Sequence, residues 1–132
     1  MVKELTPNIK GSITRSISQT FENYMESIGW NIDRYDFENG FMVAWQEYIS
    51  ERALWYEELP DTLKANPLFH EYLAKRINAV IKRVLTDPPT EEQVATIEHL
   101  QETLGTNYDY GCKAEAQYVE RILKERQENQ KS

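Results

Sequence analysis

Residues 67–89 read PLFHEYLAKRINAVIKRVLTDPP, and the fold class turns on this stretch. Its apolar residues Phe69, Leu73, Ile77, Val80, Ile81 and Val84 recur at steps that place them on one face of an α-helix. Pro67 suits the first helical position, where an amide hydrogen would have no intrahelical partner, and Asn66 suits the cap before it. Asp87-Pro88-Pro89 then stops the helix, because proline lacks an amide hydrogen and restricts the residue before it.

The same logic extends in both directions. Downstream, Thr90-Glu91-Glu92-Gln93 is a capping box in which hydroxyl and side-chain amide each satisfy an orphan amide of a first turn. Val94, Ile97, Leu100 and Leu104 make the buried stripe of that helix, and Gly105 closes it. After a polar, aromatic loop from Thr106 to Gly111, a last helix is expected from about Cys112 to Gln127, with Tyr118, Val119, Ile122 and Leu123 as its apolar residues. Residues 128–132 read as a frayed tail.

Upstream, Asp61 to Ala65 suit one short helical turn. A longer helix is expected at about 35–58, capped by Asp33 or Asp36, striped by Phe37, Phe41, Ala44, Trp45, Tyr48 and Trp55, and ended by Pro60. A first helix with Ile13, Ile17, Phe21, Tyr24 and Ile28 on one face is capped by Ser12 and stopped by Gly29, and Trp30 to Tyr35 connect it onward. Pro7 and Asn8 disfavour helix, so residues 1–10 read as a short irregular N-terminal arm. No stretch alternates with period two long enough for a strand. The expectation is an all-α, single-domain bundle of about five helices over residues 1–132.

Composition narrows the function classes. Hydrophobic residues make up 40% and charged residues 28%, which is globular and not disordered composition. The lone Cys112 has no intramolecular disulfide partner, no leader pattern opens Met1 to Lys10, and no apolar run approaches the roughly 18 residues of a spanning helix. A cytoplasmic protein without membrane contact is expected. The net charge of −7 disfavours nucleic-acid backbone as a general partner. Residues 31–61 set two cations against eight carboxylates, residues 62–86 five against one, and residues 87–110 none against six. These neighbours can offset one another across packed helices.

Templates for chemistry fail in turn. A ferritin-like di-iron site needs Glu-x-x-His, but Pro67 precedes His70 by three residues and Thr96 so precedes His99. The His-Glu-x-x-His zinc motif fails because Ala74 stands where the second histidine belongs. Glu58-Leu59-Pro60-Asp61 matches half of a magnesium-binding pyrophosphatase motif by letter, yet Pro60 breaks the helix that motif needs. The pairs Glu22/Glu26 and Glu47/Glu51 read as solvated faces, and Cys112 at a helix start reads first as structural. No phosphate-binding glycine loop or nucleophile elbow is present. The reading has no catalytic residue, metal ligand or cofactor.

Two features remain. Eight of the fifteen aromatic residues lie between Trp30 and Tyr56. Most suit a core, but Trp45, Tyr48, Arg52, Trp55 and Tyr56 are also the residue types that dominate protein interfaces, and they are the candidate partner-binding face. Lys75, Arg76, Lys82 and Arg83 form a candidate basic patch, with Lys75, Asn78 and Lys82 sharing an outward face with Glu71.

Residues 90–125 carry Thr90-x-x-Gln93, Ile97-x-x-Leu100, Leu104-Gly105 and Lys113-Ala114-Glu115-Ala116. This order resembles a small helical-hairpin module found at the ends of bacterial and phage proteins, some linked to recombination or single-strand handling. Gly111-Cys112 and Gln117 depart from the module's usual letters. The resemblance implies an accessory role and supplies no catalytic residue.

Together these features point to a non-enzymatic protein–protein interaction protein: an adaptor, assembly subunit or inhibitor, with self-association compatible with that role. The second reading is an accessory of phage or nucleic-acid machinery, by weak contact through the basic patch or by DNA mimicry. The third is a small-ligand or metal-binding helical protein.

Overall fold

A computed structural model describes residues 5–131, and among these the secondary structure is helical with no strand. The helices are α1 (Pro7–Ser27), α2 (Met42–Glu51), α3 (Leu54–Glu57), α4 (Asp61–Lys64), α5 (Pro67–Thr86), α6 (Glu91–Leu104) and α7 (Lys113–Lys131). Five of them have seven residues or more, which is the all-α class and helix number expected. The chain divides into two compact units, residues 1–82 and residues 83–132, with the boundary inside α5.

In the first unit, α1 starts earlier than its sequence suggests. Thr6 is the cap, its hydroxyl accepting from the Ile9 amide at 3.2 Å, and Pro7 opens the helix. Ser12 therefore lies inside the helix, and residues 7–10 are helical where an irregular arm is expected; residues 1–4 of that arm lie outside the described residues. Proline loses nothing at a first position and its fixed φ favours the turn, so Pro7 initiates the helix. Ile13, Ile17, Phe21 and Met25 form the buried stripe of α1.

The end of α1 is set by two left-handed residues, Gly29 (φ 65°) and Trp30 (φ 54°). Their amides donate to the Glu26 and Met25 carbonyls at 3.0 and 2.7 Å, which satisfies acceptors the helix end would otherwise leave open. Trp30 accepts this strained backbone because its buried ring lies edge-on to Phe21 at 6.4 Å. Phe21 also meets Tyr35 and Phe41 edge-on, at 6.4 and 6.0 Å.

The expected single helix over 35–58 is interrupted twice. Asp36 caps it, accepting from the Asn39 amide at 3.0 Å, but the first turn, Phe37–Phe41, is a π-turn in which the Phe41 amide donates to the Asp36 carbonyl at 3.1 Å. Gly40 sits against the Tyr24 ring, where any Cβ would collide with the phenol. The Tyr24 hydroxyl accepts from the Asp36 amide at 2.9 Å, which fixes the ring there.

The second interruption falls at Arg52–Ala53, before α3. Trp45 and Trp55 have ring centroids 6.2 Å apart. Ten residues of unbroken helix would separate them by about 15 Å, so the chain must turn back to bring them together. Further on, Asn66 caps α5 through the Leu68 amide at 2.9 Å, and all six apolar residues of its expected stripe are buried.

The second unit contains the hairpin of α6 and α7. Its core is Ile97, Leu100, Ala116, Val119 and Leu123, with Leu104, Tyr110 and Tyr118 packed against it. The capping box forms as expected: Thr90 Oγ1 accepts from the Gln93 amide at 3.0 Å, and Gln93 Oε1 accepts from the Thr90 amide at 2.9 Å. Gly105 ends α6 at φ 68°. The loop beyond it is buckled by Gln101, whose Oε1 accepts from the Tyr108 amide and the Thr106 hydroxyl, at 2.7 and 2.9 Å. Helix α7 continues through Lys131, past the expected stop at Gln127, so residues 128–131 are helical; Ser132 lies outside the described residues. No glycine or proline interrupts that stretch, and Lys124 pairs with Glu120 one turn back at 3.3 Å.

Replacing Gly40 with alanine is expected to destabilise the fold by about 1–3 kcal/mol through overpacking against Tyr24, more than the ~1 kcal/mol that alanine otherwise gains in a helix. Chemical denaturation measures this directly. The Asn39 backbone amide, then its side-chain amide, hold the Asp36 carboxyl below its ordinary pKa of 3.8. A lowered folded-state pKa stabilises above that ordinary value and loses its effect as pH falls through the folded value. The Tm gap between wild type and Asp36→Ala should therefore be full at neutral pH and shrink below about pH 4.

Candidate functional site

Helices α1 and α2 face one another across an open groove of about 640 Å3, entirely within the first unit. The α1 wall runs from Ser12 to Ser27 and carries short polar side chains at helical spacing: Ser12, Ser16, Thr20 and Ser27, with Gln19 and Asn23 beside them. Of these, Ser16 and Thr20 are buried. Ala44, Glu47 and Tyr48 line the opposite wall, and Arg52, Leu54 and Trp55 line the end where α2 breaks.

At that end the two walls are joined by a hydrogen-bonded trio. Trp55 Nε1 donates to Ser16 Oγ at 3.1 Å, and Ser16 Oγ lies 2.6 Å from the Tyr48 hydroxyl. Ser16 is 9% exposed, so its hydroxyl satisfies an indole N–H that has left water. The groove's charged residues are Arg15, Glu47 and Arg52. Arg15 donates from Nη2 to Ser12 Oγ at 3.3 Å, and neither arginine forms an ion pair with a described carboxylate. Leu54 is 73% exposed on the rim.

Against this geometry the candidate partner-binding face divides. Trp45 (3% exposed) and Trp55 (7% exposed) are core residues, so the expectation that they form an exposed face is corrected. Trp45 stacks on Phe41 and lies tilted against Tyr48 and Trp55, because the break before α3 folds Trp55 inward. Tyr48 and Arg52 do reach the groove, and Trp55 contributes to its floor. Tyr56 faces elsewhere, under the Lys64 ammonium at 4.7 Å, and borders a second, more apolar hollow of about 420 Å3 between α2 and α5.

His70 lies on the rim of that second hollow. Its Nε2 is 2.7 Å from the Lys64 carbonyl, which can only accept, so Nε2 carries the hydrogen. Arg15, Ser16 and Gln19 are site residues that the sequence reading missed. The signal was the run of short polar residues at helical spacing on α1, which reads equally well as a solvated face.

The basic patch is less available than its sequence suggests. Lys75 pairs with Glu71 at 3.0 Å, and Arg76 is half-buried with Nε donating to Thr14 Oγ1 at 2.9 Å. Lys82 and Arg83 are exposed on α5, on either side of the unit boundary. Cys112 is buried immediately before α7. Among the described residues no three His, Cys, Asp or Glu side chains gather in a way that could hold a metal ion, and no helix is long and apolar enough to cross a membrane. Compared with known protein families, characterised proteins and solved structures, the chain matches none.

Ser16→Ala is expected to cost about 1–3 kcal/mol, since it leaves the buried Trp55 N–H without an acceptor. Tyr48→Phe leaves that bond intact and should cost about 1 kcal/mol or less. Urea denaturation of the two variants tests the order.

Proposed function

We propose that this chain is a non-enzymatic helical interaction protein that receives a partner protein along the groove between α1 and α2. The observation that carries the reading is the groove itself: a long open hollow lined by short polar side chains together with Ala44, Trp55, two arginines and an exposed leucine. Arginine and aromatic side chains around an apolar floor are the usual anchors of protein interfaces. The groove is open, which suits an elongated polypeptide better than an enclosed small ligand.

The nucleic-acid alternative has less support. Lys75 and Arg76 already have partners within the chain. The net charge of −7 opposes the phosphate attraction on which such binding depends.

The test is a pull-down of the tagged protein from its native lysate, with and without nuclease, using wild type and Gln19→Trp. Gln19 is exposed on the groove wall, so the larger ring obstructs the groove without entering the core. The expected result is a stoichiometric, nuclease-resistant partner held by wild type and lost by Gln19→Trp, with an exposed α6 change, His99→Ala, as the unaffected control. Partners lost on nuclease treatment, or held equally by Gln19→Trp, would overturn the proposal.

A further inference from the structure

We infer that the occupant of the α1–α2 groove is an extended segment of a partner protein bearing carboxylates, read at the Ser16–Tyr48 end by Arg15 and Arg52. This rests on the interaction reading above and adds the chemistry of the partner to it.

The first ground is charge. Two arginines against one glutamate leave the groove lining net positive, in a chain whose total charge is −7. The arginines stand together with respect to the fold. Arg15 precedes Ser16 on α1, Arg52 lies one turn beyond Tyr48, and Ser16 and Tyr48 are 2.6 Å apart. Position 15 on α1 and position 52 just after α2 thus flank the Ser16–Tyr48 contact, and both arginines line the groove. Neither group forms an ion pair among the described residues. A planar guanidinium is the side chain best matched to a carboxylate, which it can grip through two parallel hydrogen bonds.

The second ground is independent of charge and comes from counting hydrogens. Trp55 N–H, Ser16 O–H and Tyr48 O–H supply three hydrogens. The Trp55–Ser16 contact uses one and the Ser16–Tyr48 contact uses another. One hydroxyl hydrogen is left, no described residue accepts it, and both hydroxyls line the groove. This end of the groove therefore also offers a hydroxyl hydrogen that an acceptor can take. Glu47 is the carboxylate of the lining, and it sets the register by disfavouring an acidic side chain opposite itself.

Shape selects the form of the occupant. Ser12 to Ser27 spans fifteen helical steps, about 22 Å, which an extended strand covers in about seven residues. Leu54 on the rim and Trp55 in the floor give such a segment apolar contact beside its charges. A nucleic-acid strand would also offer anionic acceptors, but the chain's net charge of −7 opposes a polyanion of that charge density.

The experiment is fluorescence anisotropy with the full chain and two labelled peptides of about seven residues. One alternates leucine with Asp-Glu pairs, and the other carries Asn-Gln in their place. The expected result is that the acidic peptide binds about tenfold or more tightly than its amide analogue, weakening with salt. The Arg15→Gln/Arg52→Gln double variant, whose exposed side chains leave the core untouched, should lose about tenfold for the acidic peptide alone.

Equal binding of the two peptides within about twofold would overturn the acidic occupant, as would no binding of either below about 1 mM. A single-stranded oligonucleotide competing as strongly as unlabelled acidic peptide would overturn it as well. If Gln19→Trp still releases the lysate partner in any of these cases, the interaction reading stands and the chemistry of the occupant alone has failed. If Gln19→Trp releases nothing, the groove is not the interface.

Discussion

Trp55 turns back across the break at Arg52–Ala53 to lie against Trp45 and to hydrogen-bond Ser16 of the first helix, and the first unit is arranged around that return. The indole buries a large apolar face while its N–H demands an acceptor, and Ser16 is the residue that supplies one. An unbroken helix would carry Trp55 out of reach of both contacts. The chain gives up helical hydrogen bonds at the break because burying the ring returns more than those bonds contribute. The same turn leaves Arg52 exposed at the mouth of the α1–α2 groove, so one packing requirement builds the core and shapes the candidate interface.

The groove exists because the two faces of α1 have different tasks. Ile13, Ile17, Phe21 and Met25 are long enough to fill the interior, and Phe21 gathers Trp30, Tyr35 and Phe41 around itself. On the adjacent face Ser12, Ser16, Thr20 and Ser27 carry short polar side chains that line the groove, and Ser16 meets the Tyr48 hydroxyl of α2 at 2.6 Å. Tyr24, fitted against the glycine at position 40, holds the far end of the two helices in register. The second unit works on simpler terms. Its hairpin is specified by local devices, namely the Thr90–Gln93 box, the left-handed Gly105 and the Gln101 buckle, around a small core of five residues.

Legibility followed the range of the forces involved. Where a cap, a stop and an apolar stripe agreed, as in α5 and α6, the helices lie where the sequence places them. Pro7 is ambiguous in the sequence because proline breaks a helix interior yet suits its first position, and the Thr6 hydroxyl beside it distinguishes the two. The aromatic stripe was legible as a stripe but not as an interior. Trp45 and Trp55 have the residue type of an interface anchor, and nothing local separates an anchor from a core residue. Of the groove residues, Tyr48, Arg52 and Trp55 were visible from the sequence, while Arg15, Ser16 and Gln19 became significant only opposite them.

The sequence by itself determined the all-helical class, the positions of the proline and glycine stops, and the buried faces of the long helices. Each of these is settled within four residues by backbone hydrogen bonding and side-chain periodicity. The tertiary structure alone decided that the helix after Asp36 begins with a π-turn and breaks at Arg52, that the two tryptophans face inward, and that Arg15 of α1 and Arg52 just after α2 line one groove. No residue in Ser50-Glu51-Arg52-Ala53 breaks a helix by its own conformational preference. The break is imposed by contacts with Ser16 and Trp45, and Ser16 lies 39 residues from the indole it satisfies.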